Sequence, residues 1–178
     1  YPSPLYNKPY YESCDALLAI SKQTKLINEL VLGDKRGDKI IEYVPHGLNE
    51  KLYYPIEDED DLLDLEDKKN EIFSNNEKDF VLFFNSRNIR RKQIPDTMLA
   101  FRIFLDTLPK EKAEKCALIL HTEVVSDHGT DLEAVRKILF SEYPNSILFS
   151  TEKLDNKTLN QLYNIADAQI LLTSNEGW

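Results

Sequence analysis

Short apolar runs alternate with amphipathic segments over the last hundred residues of the chain. The apolar runs have the length of β-strands and occupy residues 80–84, 116–120, 146–149 and 168–172. The segments between them carry apolar residues at helical spacing and occupy residues 95–108, 131–140 and 156–166. This alternation is typical of parallel strands joined by right-handed helical crossovers. The chain is therefore predicted to be α/β, with a Rossmann-like parallel sheet flanked by helices.

The N-terminal part shows the same alternation on a smaller scale. A short strand predicted to be buried at 15–20 precedes a helix over 22–32, for which Ser21 is the predicted N-cap. A second strand follows at 39–44 and ends at Pro45-His46-Gly47. Proline and glycine terminate regular structure, so this point separates the early elements from those that follow.

Composition excludes several classes of protein. The net charge is −9, and residues 57–79 account for most of it with eleven acidic residues against three lysines. We expect that stretch to be a surface insertion, an acidic loop leading into a short amphipathic helix. Nucleic-acid binding needs a basic stripe and is not expected. No apolar stretch reaches the roughly 20 residues of a membrane helix.

The first residues and the two cysteines bear on cellular location. Tyr1 does not begin a basic segment followed by an apolar run, so no signal peptide is predicted, and the missing initiator Met indicates a fragment. Cys14 and Cys116 are far apart and lack metal-ligand spacing. Both are expected to be reduced, buried thiols of a cytoplasmic protein.

Charged residues follow two of the predicted strands. Arg87 and Lys92 come after the strand at 80–84, and Glu176 comes after the strand at 168–172. An arginine fork and a mobile ammonium group both suit phosphate, and the following helix N-terminus adds a favourable dipole. A carboxylate beside them suits a sugar hydroxyl. The pattern favours a nucleotide-sugar site, although each segment alone also fits a solvated basic turn or a helix N-cap.

Four stretches, in order, carry a resemblance to a known family. They are Cys14 to Ser21 with the lysine-containing helix after it; Val44-Pro45-His46-Gly47-Leu48-Asn49 with Tyr53-Tyr54-Pro55; Ser86-Arg87 to Lys92, which matches G-R-x-x-x-x-K; and Tyr163 to Asp167 through Ser174 to Gly177, which matches Y-x-x-A-D … S-x-x-E-G-F-G. Together they resemble glycosyltransferase family 4, retaining enzymes of the GT-B fold. Departures include Ser86 for glycine, Gln93 for glycine or asparagine, and Trp178 for phenylalanine.

The resemblance implies roles for particular residues. Arg87 and Lys92 would neutralise the donor diphosphate and the leaving nucleoside diphosphate, and Glu176 would bind hydroxyl groups of the donor sugar. These three are the predicted catalytic residues. Further donor contacts are implied for Ser86, Lys153, Leu154, Ser174, Asn175, Gly177 and Trp178. The resemblance implies a nucleotide-diphosphate sugar as donor substrate, no other cofactor and no metal.

The resemblance also implies a division of the chain. Residues 1–44 would be the end of an N-terminal acceptor domain, and residues 45–178 a truncated C-terminal domain that binds the nucleotide sugar. The acceptor stays open among glycan, lipid and protein, as does peripheral membrane contact of a full-length protein. Two alternatives also stay open: another GT-B enzyme, such as a sugar-nucleotide epimerase or a phosphorylase, and a non-catalytic α/β module that binds nucleotide or protein.

Overall fold

The computed structural model describes residues 7–74, 76–174 and 176. Contacts divide the chain into two compact units, residues 7–48 together with Glu176, and residues 49–174. The division after Leu48 compares with a predicted boundary after residue 44. No helix in the described ranges is both long enough and apolar enough to cross a membrane.

The first unit is a two-stranded parallel sheet with helices. Its elements are α1 (Lys8–Ser13), β1 (Ala16–Ala19), α2 (Lys22–Leu32), a 3-10 turn (Gly33–Arg36) and β2 (Ile40–Tyr43). The Ser21 hydroxyl accepts a hydrogen bond from the Thr24 amide at 3.0 Å, so Ser21 caps α2 as predicted. The prediction of a buried first strand is wrong, since Ala19 is the one buried residue of β1. Cys14 is likewise half-exposed, while Cys116 is buried.

The second unit is built on a four-stranded parallel sheet in the order β5-β4-β3-β6. Its elements are α3 (Glu59–Phe73), β3 (Phe80–Asn85), α4 (Ile94–Asp106), α5 (Lys110–Ala113), β4 (Cys116–His121), α6 (Leu132–Leu139), β5 (Ile147–Ser150), α7 (Asn156–Ile165) and β6 (Ala168–Gln169). The predicted α/β class and parallel sheet are confirmed.

Both faces of this sheet are covered, and the pleat of β3 and β4 explains how. Val81, Phe83, Ala117 and Ile119 point to the side on which α3 and α7 pack. Phe84, Leu118 and Leu120 point to the opposite side, among residues of α4 and α6 such as Met98, Phe101 and Leu132. Because successive side chains of a strand alternate between faces, a continuous apolar run supplies both cores.

The acidic stretch contributes a structural helix rather than a surface insertion. α3 begins after Asp58, whose carboxylate accepts a hydrogen bond from the Asp60 amide at 3.1 Å. Phe73 at its end is buried, and Leu65 and Ile72 pack on the same core. The acidic side chains lie on the solvent side of an amphipathic helix, so their number concealed the apolar face beneath them.

The last strand is shorter and more exposed than predicted. Only Ala168 and Gln169 pair with β3, and Leu171 and Leu172 are exposed. β6 forms one edge of the sheet, and no strand in the described part of the chain pairs with its outer side. An apolar run indicates that a segment tolerates burial, whereas actual burial depends on neighbours on both sides.

Candidate functional site at the carboxyl edge of the sheet

The order of the strands creates a crevice beside β3. The chain moves outward from β3 to β4 and β5, then crosses back through α7 to place β6 on the other side of β3. The strand order therefore reverses at β3. In open parallel sheets, such a reversal outside the carboxyl ends of the strands is where ligands bind.

A cavity of about 400 Å³ opens at this edge. Three short segments line it, one after each of β3, β4 and β5: Asn85-Ser86-Arg87, His121-Thr122-Glu123 and Ser150-Thr151-Glu152-Lys153. Three residues predicted to bind the donor, Ser86, Arg87 and Lys153, thus line one cavity. Each stands there because its strand ends in the same layer of the sheet.

The charged side chains of this cavity are available to a ligand. Arg87, Glu123, Glu152 and Lys153 are exposed. Among the described residues none of the four takes part in an ion pair. Two cations and two carboxylates around one opening can serve a ligand that carries both phosphate and hydroxyl groups, since guanidinium and ammonium groups bind phosphate oxygens and carboxylates accept hydrogen bonds from hydroxyls.

Thr122 adds a polar group that the fold does not use. Its side chain is 7% exposed, and its hydroxyl oxygen has no hydrogen-bond partner in the described part of the structure. Leaving a buried hydroxyl unpaired costs on the order of 1–3 kcal/mol. Unpaired groups of this kind are few in folded proteins and call for an explanation. By contrast, the neighbouring His121 ring is hydrogen-bonded through Nδ1 to the carbonyl and hydroxyl of Ser150, at 3.0 and 2.9 Å.

The turn after β3 holds Lys92 in a 3-10 turn (Arg90–Lys92) that leads into α4. Lys92 is half-buried and does not line the cavity that Arg87 lines. Gln93 follows with φ of +47°, a left-handed conformation that favours glycine or asparagine. The resemblance expects one of those two residues here, and the backbone angle explains why.

The segment after β6 is tied to this turn. The carbonyl oxygen of Arg91 accepts hydrogen bonds from the amide of Ser174 at 2.9 Å and from the hydroxyl of Thr173 at 3.1 Å. Ser174, a predicted donor contact, therefore lies beside the turn that carries Lys92. Glu176 groups with the first unit. Asn175, Gly177 and Trp178 lie outside the described residues, and the roles assigned to these four residues stay predictions.

Leu154 lines a second cavity, of about 350 Å³, on the α3 side of the sheet. Its walls are mainly apolar and include Ile72, Phe149 and Leu162. It shares Ser150, Thr151 and Glu152 with the first cavity. Lys153 and Leu154, neighbours in sequence, thus line different cavities.

Sequence reasoning missed three contacts, one at the start of β6 and two at the carboxyl edge. Asp167, interpreted as a turn residue, accepts a hydrogen bond from the Val81 amide at 2.7 Å and so fixes the start of β6 against β3. Asn85 donates to the Tyr163 hydroxyl at 3.1 Å. Asn88 is buried and bonds to the loop after β4. A polar residue directly following an apolar run was the available signal for Asn85.

In ranges 7–74 and 76–174, and at residue 176, no group of three or more His, Cys, Asp or Glu side chains is placed to hold a metal ion. The metal-free site implied by the resemblance stays a prediction.

No protein-family model matches the chain, and no curated protein matches it in sequence. Solved structures do match in fold. Sucrose-phosphate synthase from Thermosynechococcus elongatus is 21% identical with a TM-score of 0.65, over 98% of this chain and 39% of that one. A trehalose-6-phosphate protein from E. coli, bound with UDP-2-fluoro glucose, is 16% identical with a TM-score of 0.69, over 99% and 44%.

A third solved structure is that of a separate C-terminal domain. The C-terminal domain of a glycosyl transferase group 1 family protein, LpcC, from Francisella tularensis is 16% identical with a TM-score of 0.55, over 73% of this chain and 60% of that domain. The chain has the fold found in part of GT-B glycosyltransferases and spans about two fifths of the length of the first two proteins. At these identities the likeness establishes the fold and not family 4.

Proposed function

We propose that this chain is the donor-binding half of a glycosyltransferase that uses a nucleotide-activated sugar. The observation that carries the proposal is the cavity beside the strand-order reversal, where Arg87 stands without a carboxylate partner among the described residues. Phosphate groups need cations or amide donors at such an edge. The solved structures of the same fold, one of them holding a UDP-sugar analogue, support this assignment.

The proposed chemistry depends on cationic side chains that are in position before the reaction begins. Departure of a nucleoside diphosphate concentrates negative charge on the β-phosphate oxygens as the bond to the sugar breaks. Arg87, with Lys92 from the same turn, would stabilise that charge more strongly in the transition state than in the ground state. Preorganised donors of this kind contribute on the order of 3–4 kcal/mol each to barrier lowering.

The finer parts of the proposal rest on the resemblance. They are membership of family 4, retention at the anomeric carbon, a cytoplasmic location and the absence of a metal. Ser86 lies in the turn that would bind the phosphates, and residues 152–154, which include Lys153 and Leu154, would border the base. Glu176 would bind the donor sugar. The acceptor, whether glycan, lipid or protein, would be bound by the other half of the complete enzyme.

The alternative of a non-catalytic binding module is distinguished by the same residues. A module that binds a protein partner elsewhere on its surface would keep that binding when Arg87 and Lys92 are replaced. A phosphorylase or an epimerase of the same fold would share the nucleotide or phosphate chemistry and differ in turnover by the complete protein. Arg87 and Lys153, which line the cavity and have no ion-pair partner among the described residues, favour phosphate binding over protein binding.

Calorimetric titration of the 178-residue chain with UDP, GDP and ADP tests the proposal. We expect one nucleotide to bind, and Lys92→Ala to weaken binding about tenfold or more, as expected for a lost charge-assisted contact. Lys115→Ala, which removes a lysine from the opposite edge of the sheet, is the matched control and should leave affinity unchanged. A folded chain that binds none of the three nucleotides would contradict the proposal.

A further inference from the structure

Asn88 connects the turn after β3 to the loop after β4. Its side chain is 1% exposed. The amide nitrogen donates to the carbonyls of Thr130 at 2.7 Å and Glu123 at 3.0 Å, and the amide oxygen accepts from the Thr130 amide at 3.1 Å. One buried side chain thus satisfies three backbone groups of a loop more than 30 residues away.

Two further contacts secure the same junction. The Arg90 amide donates to the carbonyl of His128 at 2.9 Å. A Cβ atom added at Gly129 would clash with the Oδ1 atom and the carbonyl oxygen of Asn88. The close approach therefore requires glycine at 129, and the turn cannot shift away from the loop without breaking these bonds.

The position of Asn88 gives this junction a consequence for the site. Asn88 directly follows Arg87, and Glu123, whose carbonyl Asn88 holds, lines the same cavity. A flexible arginine on an exposed turn would lose conformational freedom on binding a phosphate, and a fixed turn reduces that cost.

From these contacts we infer that Asn88 is a positioning residue, which holds the turn carrying Arg87 against the loop over residues 123–130 and so presents the guanidinium to the ligand. The inference rests on the proposed function of this edge. Asn88 itself is assigned no contact with the ligand. Gly129 contributes by allowing the loop to approach Asn88 closely.

Asn160 provides a matched control elsewhere in the same unit. It is also buried, and its amide group likewise bonds to backbone, accepting from the Tyr54 amide at 3.1 Å and donating to the Tyr54 carbonyl at 3.2 Å. Asn160→Ala removes a comparable polar clamp that is remote in sequence from the turn. A loss of affinity that comes only from lower stability should appear in both variants. A loss that comes from poorer positioning of Arg87 should appear only in Asn88→Ala.

The first test is a double-mutant cycle on nucleotide affinity. Asn88→Ala should raise the dissociation constant of whichever of UDP, GDP or ADP binds by about tenfold in the parent chain. The same substitution added to Arg87→Ala should cost less than about twofold more, because no guanidinium is left to position. Asn160→Ala should stay within about twofold of the parent and be additive with Arg87→Ala. Independent effects of Asn88→Ala and Arg87→Ala would overturn the inference.

The second test is independent of ligand. Amide hydrogen exchange of Asn88→Ala should accelerate about tenfold or more at Arg90 and Thr130, with Leu118 in the sheet unchanged. Continued protection of Arg90 would overturn the inference. If the chain binds no nucleotide, the proposed function fails while exchange still decides whether Asn88 holds the turn. Should Asn88→Ala not fold, Asn88→Asp keeps the size and the acceptor oxygen, removes the donors, and is measured in the same way.

Discussion

The two edges of the four-stranded sheet use charge in opposite ways. A cavity of about 490 Å³ at the amino edge exceeds the one of about 400 Å³ at the carboxyl edge. At the amino edge Lys115 pairs with Glu77 and Asp79, at 3.5 and 3.4 Å. Lys78 donates to the Glu114 carbonyl at 2.6 Å, and its burial lowers the pKa of its ammonium group.

The polar groups that line the cavity at the carboxyl edge differ from those at the amino edge. Arg87 and Lys153 have no carboxylate partner in the described ranges, and the Thr122 hydroxyl is unpaired. The lysines at the amino edge therefore have partners within the fold, whereas Arg87 and Lys153 have no ion-pair partner among the described residues. Cavity size therefore does not identify the site here, whereas unsatisfied polar chemistry does.

Disrupting the contact between Gly129 and Asn88 at the carboxyl edge should have the largest effect, and it should be on the free energy of unfolding. Gly129→Ala places a Cβ atom against both the side chain and the backbone of Asn88 and should lower the free energy of unfolding by about 2–3 kcal/mol. Gly47→Ala, where nothing lies within 4 Å of the added atom, should change it by less than about 0.5 kcal/mol. Denaturant unfolding measures both, and equal effects would contradict the assigned packing.

Removing one cation from each edge tests the comparison directly. Arg87→Ala should weaken nucleotide binding by about 10–100-fold, or roughly 1.4–2.8 kcal/mol, because a charge-assisted phosphate contact is lost. Lys115→Ala should leave binding within about twofold, because its charge is already paired within the fold. Titration calorimetry decides between them, and a larger loss for Lys115→Ala would reverse the assignment of the two edges.

A smaller effect of opposite sign is expected at Thr122. Thr122→Val removes a buried hydroxyl that has no partner among the described residues and should raise the free energy of unfolding by about 1 kcal/mol. Thr97→Val is the matched control, because its buried hydroxyl donates to the Gln93 carbonyl at 3.3 Å, and it should lower stability by about 1 kcal/mol. Thermal unfolding of both variants tests the pair; destabilisation by Thr122→Val would show that the hydroxyl is satisfied.

The smallest effect is expected at Asp155. This carboxylate lies near the carboxyl edge and forms a hydrogen bond within the fold. A hydrogen bond from the Thr158 backbone amide lowers the pKa of Asp155, which caps α7. Its charge therefore stabilises the fold above the ordinary Asp pKa of about 3.9, and this contribution is lost as pH falls through the lower folded pKa. The advantage over Asp155→Asn should shrink between about pH 6 and pH 2.5, and a constant difference would contradict this role.

Much of the fold could be predicted because local pattern carries it. Strand-length apolar runs separated by amphipathic helices require a sheet covered on both faces, and the helix over 94–106 follows from the spacing of Met98, Phe101 and Leu105. The strand ends also place Ser86, Arg87 and Lys153 at a common edge, because parallel strands finish in the same layer. These features depend on residues close in sequence.

Long-range pairing decided the rest, and local pattern does not encode it. β6 beside β3 rather than beyond β5 creates the crevice, and leaves the predicted buried strand as an exposed edge. The acidic stretch hid a core helix because charge count obscured the face that includes Phe73. By sequence alone, Asn88 and Thr122 are ordinary polar loop residues, and tertiary contacts bury both. The Asn88 amide group then forms hydrogen bonds, whereas the Thr122 hydroxyl has no partner among the described residues. The sequence by itself determined which elements form and which charged residues follow the strands. The tertiary structure alone decided which polar groups form hydrogen bonds or ion pairs within the fold and which are available to a ligand.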